Sequence, residues 1–278
     1  DSANDGANID TVVELQAIVS GVRMNAFNND PAALGSKTAD TPTLADWGAV
    51  VTANTNLSDA TRISLDSATY WKTTNPVNGL NALNSALDTY TASTTMTDTQ
   101  LKNIANAYGR VLQEADGSRT YNTDVSKVDN SSPADLGAAD VTNLGVTFLN
   151  SAGTGTAAEI AATLSSEKNL LQDVIGGLAS TAVDTVTELN DLAKAADNVV
   201  KQAAGGTVSY LDSEWVSALS SLSITGVNTT NIATIKTNIA ATANDGSGVD
   251  SYNELQSIVS LVRVNDYATL HAGYTLPT

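Results

Sequence analysis

The sequence predicts an all-α fold, in which small helical bundles repeat in tandem and pack end to end. A helix-start motif recurs along the chain, and apolar residues follow each copy at the spacing of one helix face. In addition, the segment Ala3 to Asn25 recurs as Ala243 to Asn265, with 14 of 23 positions identical and no gap. Internal similarity of this kind indicates repeated modules of one supersecondary type.

The helix-start motif is a capping box, Thr/Ser-x-x-Glu/Gln followed by Leu. Its hydroxyl accepts a hydrogen bond from the backbone N–H three residues later, and its Glu or Gln side chain accepts one from the N–H of the cap residue. The copies begin at Thr11, Thr97, Thr185 and Ser251. The helix faces that follow are Leu15, Ile18 and Val22; Leu101, Ile104 and Tyr108; Leu189, Leu192 and Ala196; and Leu255, Ile258 and Val262.

Further helices are predicted between the capping boxes. An acidic residue before a large apolar one marks a second helix at Asp46-Trp47, Asp135-Leu136 and Glu214-Trp215. Gly145 and Gly226 follow two of these helices and predict their ends. Third helices are predicted in GLNALNSALDTY, TAAEIAATLSSEKNLLQDVIGGLA and TTNIATIKTNIAATA. The motif spacing divides the chain into modules at 1–96, 97–183 and 184–249, with a partial fourth module at 250–278.

The composition limits the possible partners. Thirty Asp and Glu residues against 13 Lys and Arg give a net charge of −17, which disfavours binding to nucleic acid or to anionic membranes. No apolar run approaches the ~20 residues of a membrane span. The chain has no cysteine, and only 15% of its residues are charged. A composition low in charge and rich in Ala, Thr, Asn and Ser is common in extracellular proteins of the bacterial cell surface.

The repeated unit resembles the tandem helical repeats of very long surface proteins and adhesins of Gram-negative bacteria. The resemblance covers most of the chain and rests mainly on Asn244-Asp245-Gly246, on Asp250 to Ile258, and on Ile224 to Val227. The segment SSLSITGVNTTNIATIKTNI also looks like the three-helix albumin-binding modules of Gram-positive surface proteins. The matching residues there are those that build a small bundle, so this second likeness implies a fold and not albumin binding. Both resemblances imply a structural or adhesive extracellular role.

Clusters of Asp, Asn and Gly suggest a calcium site, because calcium prefers six to eight oxygen ligands. The candidate ligands are Asp5, Asp10, Asp116, Asp245 and Asp250. The EF-hand pattern is not met, and a turn followed by a helix cap explains the same residues. Both interpretations remain open.

Candidate contact residues lie in two places. Tyr70 and Trp71 occupy an insertion in the first module and are candidates for binding a glycan or a cell-surface polysaccharide, whereas Trp47 and Trp215 hold equivalent repeat positions and are predicted to lie in the core. Arg23 and Arg263 are equivalent too. They are predicted either to complement a helix C-terminus or to pair with carboxylates at an interface.

The repeated end segments predict head-to-tail self-association through residues 1–25 and 250–278. An isolated helix of this length is marginal in water, so its apolar face needs a partner. The predicted interface residues are Leu255, Ile258, Val259, Val262, Arg263 and Arg23. The partner is either the third module of the same chain or the N-terminal part of another copy, and a repeat that continues in a longer parent protein explains the pattern equally well.

No catalytic motif is present, so the sequence predicts a non-enzymatic protein. We expect a self-assembling subunit of a bacterial surface layer, matrix or filament. The alternative is a ligand-binding segment of a large adhesin that recognises a glycan or a host protein. Assembly of the isolated chain would favour the first expectation, and glycan binding by a monomer would favour the second.

Overall fold

A computed structural model of the chain confirms the all-α class. It describes residues 12–32, 36–43, 45–47, 49, 76–89, 100–101, 103–104, 107–108, 111, 114–115, 138–146, 157–242 and 245–270. Of these residues, 70% are helical, and the described ranges contain no β-strand. Among the helices described, none is both long enough and apolar enough to cross a membrane.

Eight α-helices have defined bounds within the described ranges. They are α1 (Val12–Asn29), α2 (Pro76–Thr89), α3 (Ala138–Asn143), α4 (Ala157–Gly176), α5 (Val186–Ala203), α6 (Asp212–Ser221), α7 (Ile232–Ala240) and α8 (Tyr252–Leu270). A short 3-10 helix, Ser180–Ala182, lies between α4 and α5. The three predicted third helices correspond to α2, α4 and α7, which confirms them.

The chain forms two compact units. The first comprises residues 1–146 and 175–188, and the second comprises residues 147–174 and 189–278. The division into modules at 96, 183 and 249 remains a prediction about the repeat.

In the first unit, α1 packs against α2. The core of this unit includes Met24, Phe27, Trp47, Leu83 and Leu87. Trp47 is fully buried, as its repeat position predicts, and its indole Nε1 donates to Asn84 Oδ1 at 3.0 Å. The Asn84 amide donates in turn to the carbonyl of Pro42 at 3.1 Å. The polar atoms that accompany the buried tryptophan are therefore hydrogen-bonded, which removes the penalty of burying them.

In the second unit, α7 packs against both α6 and α8. The core of this three-helix arrangement includes Trp215, Leu219, Ile232, Ile235, Ile239, Leu255, Val259 and Val262. The isoleucines of α7 recur at intervals of three and four, so one stripe of this short helix faces its two neighbours. Trp215 is buried as predicted.

The capping box at Thr185 forms in full as the sequence predicts, and the one at Ser251 forms in part. Thr185 Oγ1 accepts from the backbone N–H of Glu188 at 3.2 Å, and Glu188 Oε2 accepts from the N–H of Thr185 at 3.0 Å. At the start of α8, the N–H of Glu254 donates to Ser251 Oγ at 3.3 Å, and the serine hydroxyl donates to Glu254 Oε2 at 2.9 Å. These bonds satisfy N–H groups that a helix start leaves without partners.

The two predicted helix ends have different outcomes. Gly145 follows α3 with a positive φ of 71°, and the N–H of Val146 reaches back to the carbonyl of Val141, so this prediction is confirmed. The prediction for Gly226 is wrong, because α6 ends earlier, at Ser221. Ser223 takes the left-handed position there with a φ of 63°. Serine at this position closes the helix as glycine would, at the expense of mild strain.

Candidate functional site

The last copy of the repeated helix face is covered within the chain. Leu255, Val259 and Val262 are buried where α8 packs against α7, and Ile258 is partly exposed. The sequence left two partners open for this face, the same chain or another copy. The structure places the same chain against it.

The two middle copies are buried as well. Leu101, Ile104 and Tyr108 are fully buried in the first unit. Leu189, Leu192 and Ala196 are buried on α5. Three copies of the face therefore lie in a core.

The first copy is different, because its apolar face is exposed on α1. Leu15 and Val22 are 51% and 65% exposed. The other exposed members of this face are Val12, Ile18 and Val19. Met24 and Phe27, which α1 buries in the first unit, lie on the opposite side of this helix. We call the exposed residues Val12, Leu15, Ile18, Val19 and Val22 the α1 face.

Helix α8 shows the reverse arrangement. In the repeat alignment, Val264 and Tyr267 are the counterparts of Met24 and Phe27, yet they are 63% and 65% exposed. The residues Leu261, Val264, Tyr267 and Leu270 are all exposed, and we call them the α8 back face. Each of these two related helices therefore exposes the side that the other one buries.

Arg23 pairs with a carboxylate in the first unit. Its guanidinium donates to both oxygens of Asp46, at 3.1 and 2.9 Å, and Ser20 Oγ donates to the same carboxylate at 2.9 Å. Thr43 donates to it through both its hydroxyl and its N–H. Burial alone would raise the pKa of Asp46, but these hydrogen bonds outweigh it and hold the pKa below its ordinary value. The network fixes α1 to the helical turn that carries Trp47.

Arg263 has a different environment, although the sequence makes it the equivalent of Arg23. Its side chain lies across Gly226, where a Cβ would come within 2.5 Å of Arg263 Cδ. Gly226 has a φ of 87°, a left-handed conformation that favours glycine. Gln256 holds the loop between α6 and α7 at the neighbouring residue. Its Oε1 accepts from the N–H of Thr225 at 2.9 Å, and its Nε2 donates to the carbonyl of Thr225 at 3.1 Å. The prediction that Arg263 meets another copy stays a prediction.

The calcium candidates are only partly within the described residues. Asp5, Asp10 and Asp116 lie outside them. Asp245 accepts from the N–H of Ser247 at 3.0 Å, which is an Asx turn, and Asp250 accepts from Asn169 Nδ2 at 3.3 Å. In the ranges that the structure describes, no group of three or more His, Cys, Asp or Glu side chains could hold a metal ion.

The pKa of Asp250 is raised above its ordinary value. Burial raises its pKa, and the nearby carboxylates of Glu254 and Asp245 raise it further, against the hydrogen bond from Asn169. The structure shows a turn at Asp245 and a helix cap at Ser251, next to Asp250, and calcium binding stays a prediction.

The proposed ligand-contact residues, Tyr70 and Trp71, lie outside the described residues. An open groove that the sequence did not predict lies between α5 and α6, with a volume of about 400 Å³. Its lining includes Asp191, Lys194, Tyr210, Glu214 and three serines. Tyr210 stands edge-on to Trp215, with 6.0 Å between the ring centroids. The sequence signal was the serine spacing on α6, at 213, 217 and 221, which aligns three hydroxyls along one side of the helix.

Burial raises the pKa of the Tyr210 phenol, and the carboxylates of Glu214 and Asp197 raise it further. Tyr210 is therefore a neutral hydrogen-bonding group near pH 7. The groove offers hydroxyls, charges of both signs and the edge of an aromatic ring, which are the groups that polar small molecules bind.

Comparison of the chain with protein-family models, with curated proteins and with solved structures gives no match.

Proposed function

We propose that this chain is a non-enzymatic structural subunit that associates with copies of itself at a bacterial cell surface, in a layer, a matrix or a filament. The observation that carries the proposal is the pair of exposed apolar surfaces, the α1 face and the α8 back face. Extended exposed apolar patches on a soluble protein mark interaction sites. The extracellular location is supported by the composition, which is acidic, free of cysteine and rich in small polar residues.

The charge distribution supports association through these two surfaces. A net charge of −17 makes copies repel each other in general. Helix α1, however, carries only two charged residues, Glu14 and Arg23, and Arg23 is paired with Asp46. Copies can therefore approach at α1 with few like charges close together. Salt that screens the general repulsion should strengthen the association, because apolar contacts are not screened.

Electron microscopy of the purified chain tests the proposal. We expect filaments, sheets or strings of particles that increase with protein concentration and with added salt. Single particles of one copy at every concentration and salt would contradict it.

A second candidate function is glycan recognition, favoured by the groove at Tyr210. A glycan array with the intact chain and with Tyr210→Ala tests this candidate. Binding by a monomeric chain that Tyr210→Ala abolishes would support recognition at the groove. Binding that is insensitive to the substitution would leave the insertion at Trp71 as the site to test next.

A further inference from the structure

We propose that the α1 face of one copy docks against the α8 back face of a second copy of this chain. This inference rests on the proposed function, since it specifies the surfaces through which the self-association occurs. It concerns the two faces defined above and involves no rearrangement of either unit.

The first argument comes from the internal repeat. The same register of apolar residues is buried in three copies, as in the stretch beginning at Leu101, and exposed in the copy beginning at Leu15. Residues that fill a core elsewhere in this chain have the shape and apolarity to be buried in α1 too. A helix surface of a similar kind is therefore the expected cover for the α1 face.

The second argument comes from the reversed burial of α1 and α8. Two residues of the α8 back face, Val264 and Tyr267, hold the positions of Met24 and Phe27, which α1 buries in the first unit. The positions of Leu261 and Leu270 correspond to Gly21 and Asp30. Taken together, the two helices show that both sides of this repeat helix are built for packing. The chain thus exposes the α1 face and the α8 back face, which lie on opposite sides of the repeated helix. Both faces are apolar, so each can cover the other.

The third argument is one of size and charge. The α1 face runs from Val12 to Val22 and the α8 back face from Leu261 to Leu270, so both extend roughly 15 Å along their helices. Arg263 and Asp266 lie within the same stretch of α8 and carry opposite charges, and α1 carries Glu14 near its start. Two apolar helix faces of equal length with so few charges around them can pack side by side, and two acidic copies repel each other less there than over the rest of their surfaces.

A contact between two different surfaces has a geometric consequence. In the pair that forms first, one copy still exposes its α1 face and the other its α8 back face, so the association continues head to tail unless a ring closes. A contact between two α1 faces would instead stop at a dimer. This difference makes the inference testable by mixing variants.

Two double variants disable one face each. Leu15→Ser with Val19→Ser disables the α1 face, and Leu261→Ser with Val264→Ser disables the α8 back face. All four side chains are exposed, so the fold should be retained, and far-UV circular dichroism checks this. Leu211→Ser is the matched control, because Leu211 is 68% exposed and belongs to neither face.

Sedimentation velocity of the variants, alone and mixed, gives the result. We expect the control to associate like the intact chain and each double variant alone to associate at least about tenfold more weakly. A one-to-one mixture of the double variants should form dimers that do not grow, because one intact face of each kind remains. The single substitutions should show smaller losses in the same direction, which supports the inference even if one double variant misfolds.

Other outcomes overturn the inference. If the variant with the intact α1 face dimerises alone, the contact joins two α1 faces. If both double variants associate like the intact chain, the joint lies elsewhere, although the proposed function survives. If the intact chain itself does not associate, the proposed function fails, and this inference fails with it.

Discussion

Leu15 and Leu255 occupy the same position of the internal repeat, so truncating each to alanine compares one residue in two environments. Leu255 is fully buried, whereas Leu15 is 51% exposed. Alanine removes three carbon groups, worth about 2.4 kcal/mol of transfer free energy at about 0.8 kcal/mol each. In the core an unfilled cavity adds to this loss, so we expect Leu255→Ala to lower the free energy of unfolding by about 3–4 kcal/mol. At Leu15 about half of the transfer term applies and no cavity forms, so the loss should be about 1 kcal/mol.

The assay is urea denaturation followed by far-UV circular dichroism, at a concentration at which the chain is monomeric. Phe27 and Tyr267 form a second pair in which the order is reversed, because Phe27 is buried on α1 and Tyr267 is exposed on α8. We expect Phe27→Ala to cost about 3–5 kcal/mol and Tyr267→Ala about 1 kcal/mol or less. The reversed pair excludes the trivial explanation that one unit is simply more sensitive than the other. Equal losses at Leu15 and Leu255 would refute the reversed burial on which the proposals rest.

Three further predictions concern single side chains. Asp46→Ala should lower the free energy of unfolding by about 1–2 kcal/mol, because it leaves the buried Ser20 hydroxyl without its acceptor and removes the ion pair with the partly exposed Arg23. Because the pKa of Asp46 is lowered in the folded state, its ionised carboxylate stabilises the fold above the ordinary pKa. This stabilisation should be lost as the pH falls through the folded-state pKa. An acid titration of stability, with Asp46→Asn as the reference, measures the loss. Asp250→Asn should raise thermal stability at neutral pH, since the pKa of Asp250 is raised and its charge is costly above that pKa. This gain in stability should vanish below the ordinary pKa of aspartate. If Asp250→Asn instead lowers the stability when calcium is added to the buffer, the result supports a calcium site. Gly226→Ala should lower the free energy of unfolding by about 1–2 kcal/mol, because this residue has a positive φ. Gly21→Ala should raise it by about 0.5–1 kcal/mol, because a Cβ there meets open space and alanine favours the helix more than glycine does. The denaturation midpoints of the two variants measure both changes.

Local sequence patterns predicted the helices and their starts. The capping box at Thr185 and the apolar spacing of α7 depend on neighbours within one or two turns, so they are visible in the sequence. The end of α6 was misplaced because Ser223 adopts a conformation usually assigned to glycine.

Burial of the repeated faces could not be predicted from the same patterns. Leu15 and Leu255 have the same neighbours in sequence, and their environments differ only because α1 packs on α2 and α8 packs on α7. The same holds for the arginines, since Arg23 meets Asp46 through tertiary packing while Arg263 lies across Gly226. Tertiary contacts of this kind carry no signal in a single sequence.

Deletion of the C-terminal segment is a poor test of the predicted head-to-tail contact. Deleting residues 250–278 would uncover the α7 isoleucines that α8 now buries. A truncated chain could then associate through an artificial surface. Substitutions at exposed positions avoid this difficulty.

The most direct measurement uses single cysteines, because the chain has none of its own. Val19→Cys places a thiol on the α1 face, and Val264→Cys places one on the α8 back face. After mild oxidation of each variant alone and of their equimolar mixture, non-reducing gels report the covalent dimers. The proposed contact predicts that the mixture forms a disulfide-linked dimer much faster than either variant alone. Dimers from Val19→Cys alone that form as fast as those from the mixture would contradict it.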